Sequence, residues 1–567
     1  MRKLLLISLM FFFELGITIA QEKTLDPNQP VNTQIAADTL ANGTHDPAKT
    51  VYKAESGQVY AFDGTLYVDF PLVIDGSDNT WIYKQATPPV FLQTPAATVR
   101  DMFNLRAGGS ITVKNILFGG LLGDDNNIIE FIQNAAGDSI IVDNCVFSDH
   151  DSHAIKVTGG AIKVSITNCI FINGVRRRLN PFGGMPVRFD GSVKDILIEN
   201  NTIVNAAREL GNGGNFFKSR FIELHNTYVN QQINAHEIHW YSAIQANNIF
   251  YNWSWRGRVP STNGYEAYFT TWEYFNDVKN KLDSVSLYNG YNLMYLDPKF
   301  LNYFKTQLAA DTVEQCLLWN KDVDSTIEAD NNFTIGKNYW QFDPRFATPP
   351  NNLDSMLAWD MAYWITQPAT APDWRLTPSV TYDANGSPVL NWPPAFNLSY
   401  SNDTLLTAGT DGLPLGDLNW FPDKKTIYET NRAQYIAALQ DSMANAKYVY
   451  IPGDSASALI TSKDITAIES NVSNVPNKYY LSNNYPNPFN PSTTIEFGLP
   501  EQSNITLSVF NILGQKVLEI KTRYAAGTHS YNFDASRLSS GIYIYTIHAA
   551  GRNGKDFVQS KKMMLLK

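Results

Sequence analysis

The hexapeptide "VDNCVF" (142–147) is followed at 166–171 by "ITNCIF". Both run apolar, polar, Asn, Cys, apolar, Phe. Looser copies are "VKNILF" (113–118), "IENNTI" (198–203), "ELHNTY" (223–228) and "QANNIF" (245–250). Their third positions are Asn115, Asn144, Asn168, Asn200, His225 and Asn247, separated by 29, 24, 32, 25 and 22 residues. Periods of this length mean stacked repeats.

The alternation around each window is that of a strand. In "SIIVDNCVF", Ile140 and Val142 alternate with Ile141 and Asp143; in "KVSITNCIF", Val164 and Ile166 alternate with Ser165 and Thr167. A leucine-rich repeat lacks its Leu framework here, and an α-solenoid lacks its 3.6-residue period. Asn enters the left-handed backbone region readily, and its amide can bond to the same residue one coil away. The Asn column therefore marks a sharp bend between two strands of each coil, with coils about 4.8 Å apart. The expected fold is all-β: a right-handed parallel β-helix over 60–290. Cys145 and Cys169 share a register on adjacent coils and read as small buried hydrophobes in the reduced state, with a bridge between them as the alternative in an exported chain. Cys316 has no partner by position.

Residues 21–60 are read as an N-terminal cap, with "GTLYVDFPLVIDGSD" (64–78) as the first turns. Residues 291–452 form a mixed capping region with long loops. Helices are expected at 352–365 and 430–445, from Leu353, Met356 and Leu357 and from Tyr435, Ile436 and Leu439. The Ser-, Asn- and Ala-rich stretch 453–478 reads as a linker.

The chain has 567 residues and a net charge of −10, so several domains are expected and nucleic acid is a poor partner. The start, "MRKLLLISLMFFFELGITIAQ", has a basic n-region at Arg2 and Lys3 and an apolar run from Leu4 to Phe13. Thr18 and Ala20 suit cleavage before Gln21, so 1–20 read as a signal peptide. No later stretch is long and apolar enough to span a membrane.

The C-terminal stretch 479–567 alternates with period two in "TTIEFGL", "NITLSVFNI", "SYNFDA" and "GIYIYTIHA", broken by Pro, Asn and Gly. A small Ig-like antiparallel sandwich follows. Its wording resembles the type A C-terminal sorting domain of the type IX secretion system. The matching residues are Tyr485-Pro486-Asn487-Pro488-Phe489-Asn490-Pro491, Asn511-Ile512-Leu513-Gly514-Gln515, Gly541-Ile542-Tyr543 and Lys561-Lys562. The resemblance implies export across the outer membrane of a Bacteroidetes-like bacterium. It also implies the type IX machinery as a partner and a secreted or surface-attached product.

No G-x-S-x-G, H-E-x-x-H, P-loop or C-x-x-C occurs. "SDHDSHAIKV" (148–157) holds the nearest His pair, His150 and His153, and reads as a solvated turn before a cation site. Short segments precede the windows: "NIIEFIQ" (127–133), "HAIKVTG" (153–159), "MPVRFDG" (185–191), "NFFKSRF" (215–221) and "HEIHWYS" (236–242). Each places a polar residue near its middle: Glu130, Lys156, Arg188, Lys218 and His239. Lys156 and Arg188 both lie 12 residues before their Asn and should share a register. Like charges on neighbouring strands repel, so such a row suggests a polyanionic ligand.

The region 60–290 resembles, in architecture, the β-helix polysaccharide lyases and related pectate-lyase-like proteins. In those a Lys or Arg removes the C5 proton of a uronate while Ca²⁺ or another cation neutralises the carboxylate. That implies Lys156 or Lys218 as base and Arg188 as the carboxylate or enolate partner. It also brings in Arg176, Arg177 and Arg178 of "GVRRRLNPFGG" (174–184), and Glu130, Asp149 and Asp151 as Ca²⁺ ligands. The other reading is a non-enzymatic surface protein that binds glycan through Trp253, Trp255 and Tyr265 with Arg256 and Arg258. A glycoside hydrolase, the third reading, ranks below the lyase, since Asp149 and Asp151 have no evident partner carboxylate on the next coil.

Overall fold

A computed structural model gives the structure of the chain. It describes all residues except 1–20, 40–44, 46–49, 77–86, 95–100, 121–129, 151, 176–178, 180–183, 209, 213–217, 234–239, 258–285, 307–314, 317–332, 446–458, 461–477, 485–486, 525–526, 552–555 and 567. The signal peptide reading lies outside the described residues. The chain divides into two units, 1–462 and 463–567.

The first unit is a parallel β-helix with three sheets, of six, eleven and ten strands. The coils from Leu66 to Gln231 pass through them in that order; those before and after contribute described strands only to the eleven- and ten-stranded sheets. The coil that holds "ITNCIF" runs His153–Val157, Ala161–Thr167, Ile170–Gly174. Pairing is parallel and in register: Val142 faces Ile166, and Val146 faces Ile170. The interior is apolar and aromatic. Phe118, Phe147 and Phe171 stack with centroids 4.8 and 5.0 Å apart, because equivalent positions on successive coils meet face to face.

The bend column is real. Asn115, Asn144, Asn168, Asn200, His225 and Asn247 all have φ between 53° and 62°, and Tyr291 continues the series. Asn144 Nδ2 donates to Asn115 Oδ1 at 2.6 Å. The residue after each bend is buried, and from Asn201 onward it makes a second ladder. Asn226 Oδ1 accepts from Asn201 N (3.0 Å), and Asn248 Oδ1 accepts from Asn226 N (2.8 Å). In the earlier coils this inward position is Cys145 and Cys169, both free and buried. Their thiols point to the carbonyls of Val113 and Val142, the place that amide nitrogens take in later coils. A thiol is a weak donor, so Cys suits the start of a column that amides continue.

A further bend column lies five residues on: Asp149, Asn173, Asn205, Asn230 and Asn252, all at φ between 53° and 61°. Its amides are also linked, Asn230 Nδ2 to Asn205 Oδ1 at 3.0 Å and Asn252 Nδ2 to Asn230 Oδ1 at 2.9 Å. The constant five-residue offset was present in the sequence and marks the length of one ten-stranded-sheet strand plus its bends.

Stacking extends beyond the Asn period. Gln21–Thr24 already pairs with Thr50–Ala54, and Phe333–Ile335 pairs with the strand before it. The helix Val31–Ala37 covers the first coils with Val31 and Ile35, both fully buried. At the far end the inward Asn positions Asn248, Asn292 and Asn338 are 44 and 46 residues apart, so long insertions hide the repeat from a 20–30-residue period.

The described residues from Phe346 to Leu439 run along the flank of the β-helix. Phe346, Val380, Phe396, Leu398, Tyr400, Leu405 and Leu415 pack on the outer residues of the ten-stranded sheet, from Val90 and Leu92 to Ile249 and Leu293. Two helices belong to this strap. Leu353–Met361 continues as a wider turn to Thr366, and Pro422–Asn445 starts eight residues before its expected place. The second helix lays Leu439 and Ile436 on Ile222, Leu224 and Ile244 of the eleven-stranded sheet. Its polar start, "PDKKTIYETNR", concealed the first two turns.

The second unit is an antiparallel sandwich. One sheet holds Tyr480–Leu481, Ser492–Leu499 and Gly527–Asp534; the other holds Lys516–Tyr524, Ser503–Asn511, Gly541–Gly551 and Asp556–Leu565. Ile495, Phe497, Val509, Tyr545, Ile547 and Met563 lie between them.

Candidate functional site

The strap's apolar contacts fall on the ten- and eleven-stranded sheets. The six-stranded sheet carries the polar row. Its register aligns Tyr67 with Asn104, Asn104 with Gln133, Gln133 with Lys156, and Lys156 with Arg188. Flanking columns hold the apolar residues Phe103, Ile132, Ile155 and Val187, all buried. Alternation along each strand therefore turns the row away from the apolar interior, with Gln133 in its middle only 7% exposed.

Lys156 and Arg188 thus stand on adjacent rungs as their common offset of 12 implied. Each has a carboxylate partner. Lys156 Nζ donates to Glu130 Oε1 at 3.1 Å, and Arg188 Nε donates to Asp190 Oδ1 at 2.7 Å. Glu130 is 2% exposed and also meets His153 Nδ1 at 3.3 Å. Burial pushes the Glu130 carboxyl up, but the hydrogen bond from His153 and the charge of Lys156 outweigh it and hold the group below its usual range. Burial pushes His153 down more strongly than Glu130 raises it, so the imidazole is neutral near pH 7. A carboxylate only accepts, so the Nδ1 proton faces Glu130.

Tyr67, at one end of the row, is 57% exposed. The Arg106 guanidinium lies 4.5 Å from its ring centroid. Asn104 Nδ2 donates to Asp101 Oδ2 at 2.9 Å, and Gln133 Nε2 donates to Thr158 Oγ1 at 2.6 Å. Asp101, Glu130 and Asp190 balance Arg106, Lys156 and Arg188 in formal charge. The row is a strip of fixed donors and acceptors, not a cationic track.

Several expected site residues lie elsewhere. Lys218 is not in the row: its strand, Lys218–Leu224, belongs to the eleven-stranded sheet, opposite Val193 and Trp240. The sheet-to-sheet step explains the error. Positions 12 residues before a bend fall on the six-stranded sheet, while positions 7 before fall on the eleven-stranded one.

Trp253 and Trp255 are 2% and 0% exposed and form no sugar platform. Trp253 packs on Tyr228 and Phe250 inside the coil; Trp255 packs on Phe300, Trp359 and Trp374 under the strap. Arg256 is buried too, and donates to Tyr363 Oη at 2.9 Å.

"SDHDSH" is not a solvated turn. Asp149, His150, Ser152 and His153 are all buried. Asp149 is a bend residue at φ 61°, accepting from Asn173 Nδ2 (2.8 Å) and Ser379 N (3.1 Å), so it is a rung rather than a Ca²⁺ ligand. Burial pushes the His150 imidazole down to about 3, as expected for a ring packed beside Phe131. Among the described residues no group of three His, Cys, Asp or Glu is placed to hold a metal ion. Arg176, Arg177, Arg178, His239, Asp151, Tyr265 and Arg258 lie outside the described residues.

The motifs of the second unit have clear structural work. Asn511 braces its hairpin tip: Oδ1 accepts from Leu513 N and Gln515 N, each at 3.0 Å, while Gly514 takes φ 75°. Asn487 and Phe489 grip the last strand. Asn487 Oδ1 accepts from Met564 N at 2.9 Å, and buried Phe489 exchanges backbone bonds with Met564 and Leu566.

Residues 483–563 match the family described as "Secretion system C-terminal sorting domain". No curated protein is similar to the chain. Among solved structures, dimeric latent PorU from Porphyromonas gingivalis is similar at 16% identity over 16% of this chain and 9% of that one, with a TM-score of 0.14. No helix among the described residues is long and apolar enough to cross a membrane. The C-terminal unit is a type IX sorting domain, and the chain that carries it is a secreted or cell-surface-attached protein with a parallel β-helix as cargo.

Proposed function

We propose that the six-stranded face of the β-helix binds an extracellular polysaccharide. The observation that carries this reading is the row Tyr67, Asn104, Gln133, Lys156 and Arg188, one residue per rung with Gln133 nearly buried, on the sheet against which none of the described apolar strap residues packs. A polymer with a short repeat suits a surface with a short repeat. Amides and paired ions offer fixed donors and acceptors to sugar hydroxyls, and an aromatic ring offers a stacking face. The charge balance favours a neutral or weakly acidic glycan over a dense polyanion. The test is a glycan array probed with the full chain, followed by calorimetry on the hits. Wild type should bind at least one extended polysaccharide and lose it when Lys156 and Arg188 are both replaced by Gln. Binding untouched by that pair would refute the reading.

A second reading, β-elimination of a uronate, has the adjacency of Lys156 and Arg188 in its favour. Against it, the Lys156 Nζ that would serve as base already donates to the buried Glu130 carboxylate at 3.1 Å. Unsaturated product absorbing in the near ultraviolet would support elimination; its absence with a bound uronate leaves binding as the function.

A further inference from the structure

We propose that Tyr67 and Arg106 form a terminal aromatic subsite of the row, so that the face selects for glycan chain length. This rests on the polysaccharide reading above. Tyr67 sits in the first strand of the six-stranded sheet, Leu66–Val68, and its Cα faces Asn104. Four register steps separate it from Arg188, passing through Asn104, the nearly buried Gln133 and Lys156. At about 4.8 Å per rung the row is about 19 Å long. An extended pyranose is about as long as one rung, so a pentasaccharide spans it.

Three observations single out this ring. It is the most exposed large aromatic among the described residues at 57%, whereas Trp253 and Trp255 are buried. One of its faces is taken by Arg106, which fixes the ring plane and leaves the other for a sugar. Arg106 is itself exposed and brings hydrogen-bond donors to the same end. A tyrosine that only closed the sheet edge would not need a cation to hold its plane. Pre-ordering the ring lowers the entropy lost on binding.

The experiment is calorimetry of the full chain with two probe series, cello-oligosaccharides and oligogalacturonides of two to seven units, as neutral and acidic ligands. In the series that binds, affinity should climb to the pentamer and then level off. Tyr67→Ala should weaken the hexamer about tenfold, leave the dimer and trimer unchanged, and keep the thermal midpoint. Tyr67→Phe should behave as wild type, since it keeps the ring. Affinity that levels off at the trimer, or a hexamer bound equally well by Tyr67→Ala, overturns the subsite while leaving the polysaccharide reading intact. Failure of wild type to bind either series, or the oligomers of any polysaccharide on the array, overturns both.

Discussion

Two faces of one β-helix handle polar side chains in opposite ways. On the strapped face, buried polar groups are consumed by the protein's own chain. Asn173 exchanges two hydrogen bonds with Leu376, both at 2.9 Å, and Asn200 Oδ1 accepts from Leu418 N at 3.3 Å. His225 Nε2 meets Asp411 Oδ2 at 2.8 Å with both side chains essentially inaccessible. Glu199 accepts from Tyr428 Oη (2.6 Å) and Arg432 Nε (2.7 Å). On the six-stranded face Gln133 is buried as well, but its neighbours in the row stay partly open, with Lys156 and Arg188 side chains 17% and 32% exposed. Polar ladders arise on both faces because stacking repeats whatever a position holds. On the six-stranded face Tyr67, Lys156 and Arg188 keep surface that a partner can reach.

The contrast predicts different responses to mutation. The largest effect belongs to the clasp. Asp411→Ala leaves His225 without its carboxylate in a fully buried site and should cost about 3–5 kcal/mol in denaturant unfolding. A cost under 1 kcal/mol would mean that the strap is only loosely held. The same pair makes stability depend on pH. Burial raises the Asp411 carboxyl, but the charge and hydrogen bond of His225 outweigh it and set it below its usual range. A depressed folded value gives stability that is full above the unfolded carboxylate range, about pH 4, and lost as pH falls through the folded value. Wild type should therefore lose more stability in acid than Asp411→Asn, read as thermal midpoints from pH 6 down to pH 3.

Next in size is the inward ladder. Asn226→Ala removes the acceptor of the buried Asn201 N–H and the donor to Ile198 O, which should cost about 2–3 kcal/mol. Asn144→Ala, at a half-buried bend, should cost about 1 kcal/mol. Equal losses at the two sites would remove the distinction between inward and outward rungs. The smallest stability effect is expected on the open face. Arg188→Gln breaks a pair with Asp190 that solvent reaches, and should change unfolding by less than about 1 kcal/mol.

The sequence made the first bend column legible because Asn at a left-handed bend is both conformationally favoured and repeated. The second column was equally regular, five residues downstream, but Asp149 broke the Asn pattern at its first rung and hid the rest. Lys156 and Arg188 were placed correctly because they share an offset. Lys218 was not, because a shift of five residues moves a side chain onto another sheet. Trp253 and Trp255 misled because an aromatic next to arginines reads as surface, whereas here the strap supplies the partners that bury it. No local pattern announces a strap whose contacts lie some 200 residues away in sequence, as Asn173 and Leu376 do. The sorting domain was legible residue by residue, because its motifs are turn braces and strand clamps that tolerate few alternatives.

The most direct test of the central claim compares polysaccharide binding by three proteins under one set of conditions. These are wild type, the pair Lys156→Gln and Arg188→Gln on the six-stranded face, and Arg220→Gln on the eleven-stranded face, where Arg220 grips Asp195 at 2.7 and 2.8 Å. The account predicts a loss of about tenfold or more for the pair and unchanged binding for Arg220→Gln, with all three folded. Equal binding by all three, or a loss confined to Arg220→Gln, would contradict it.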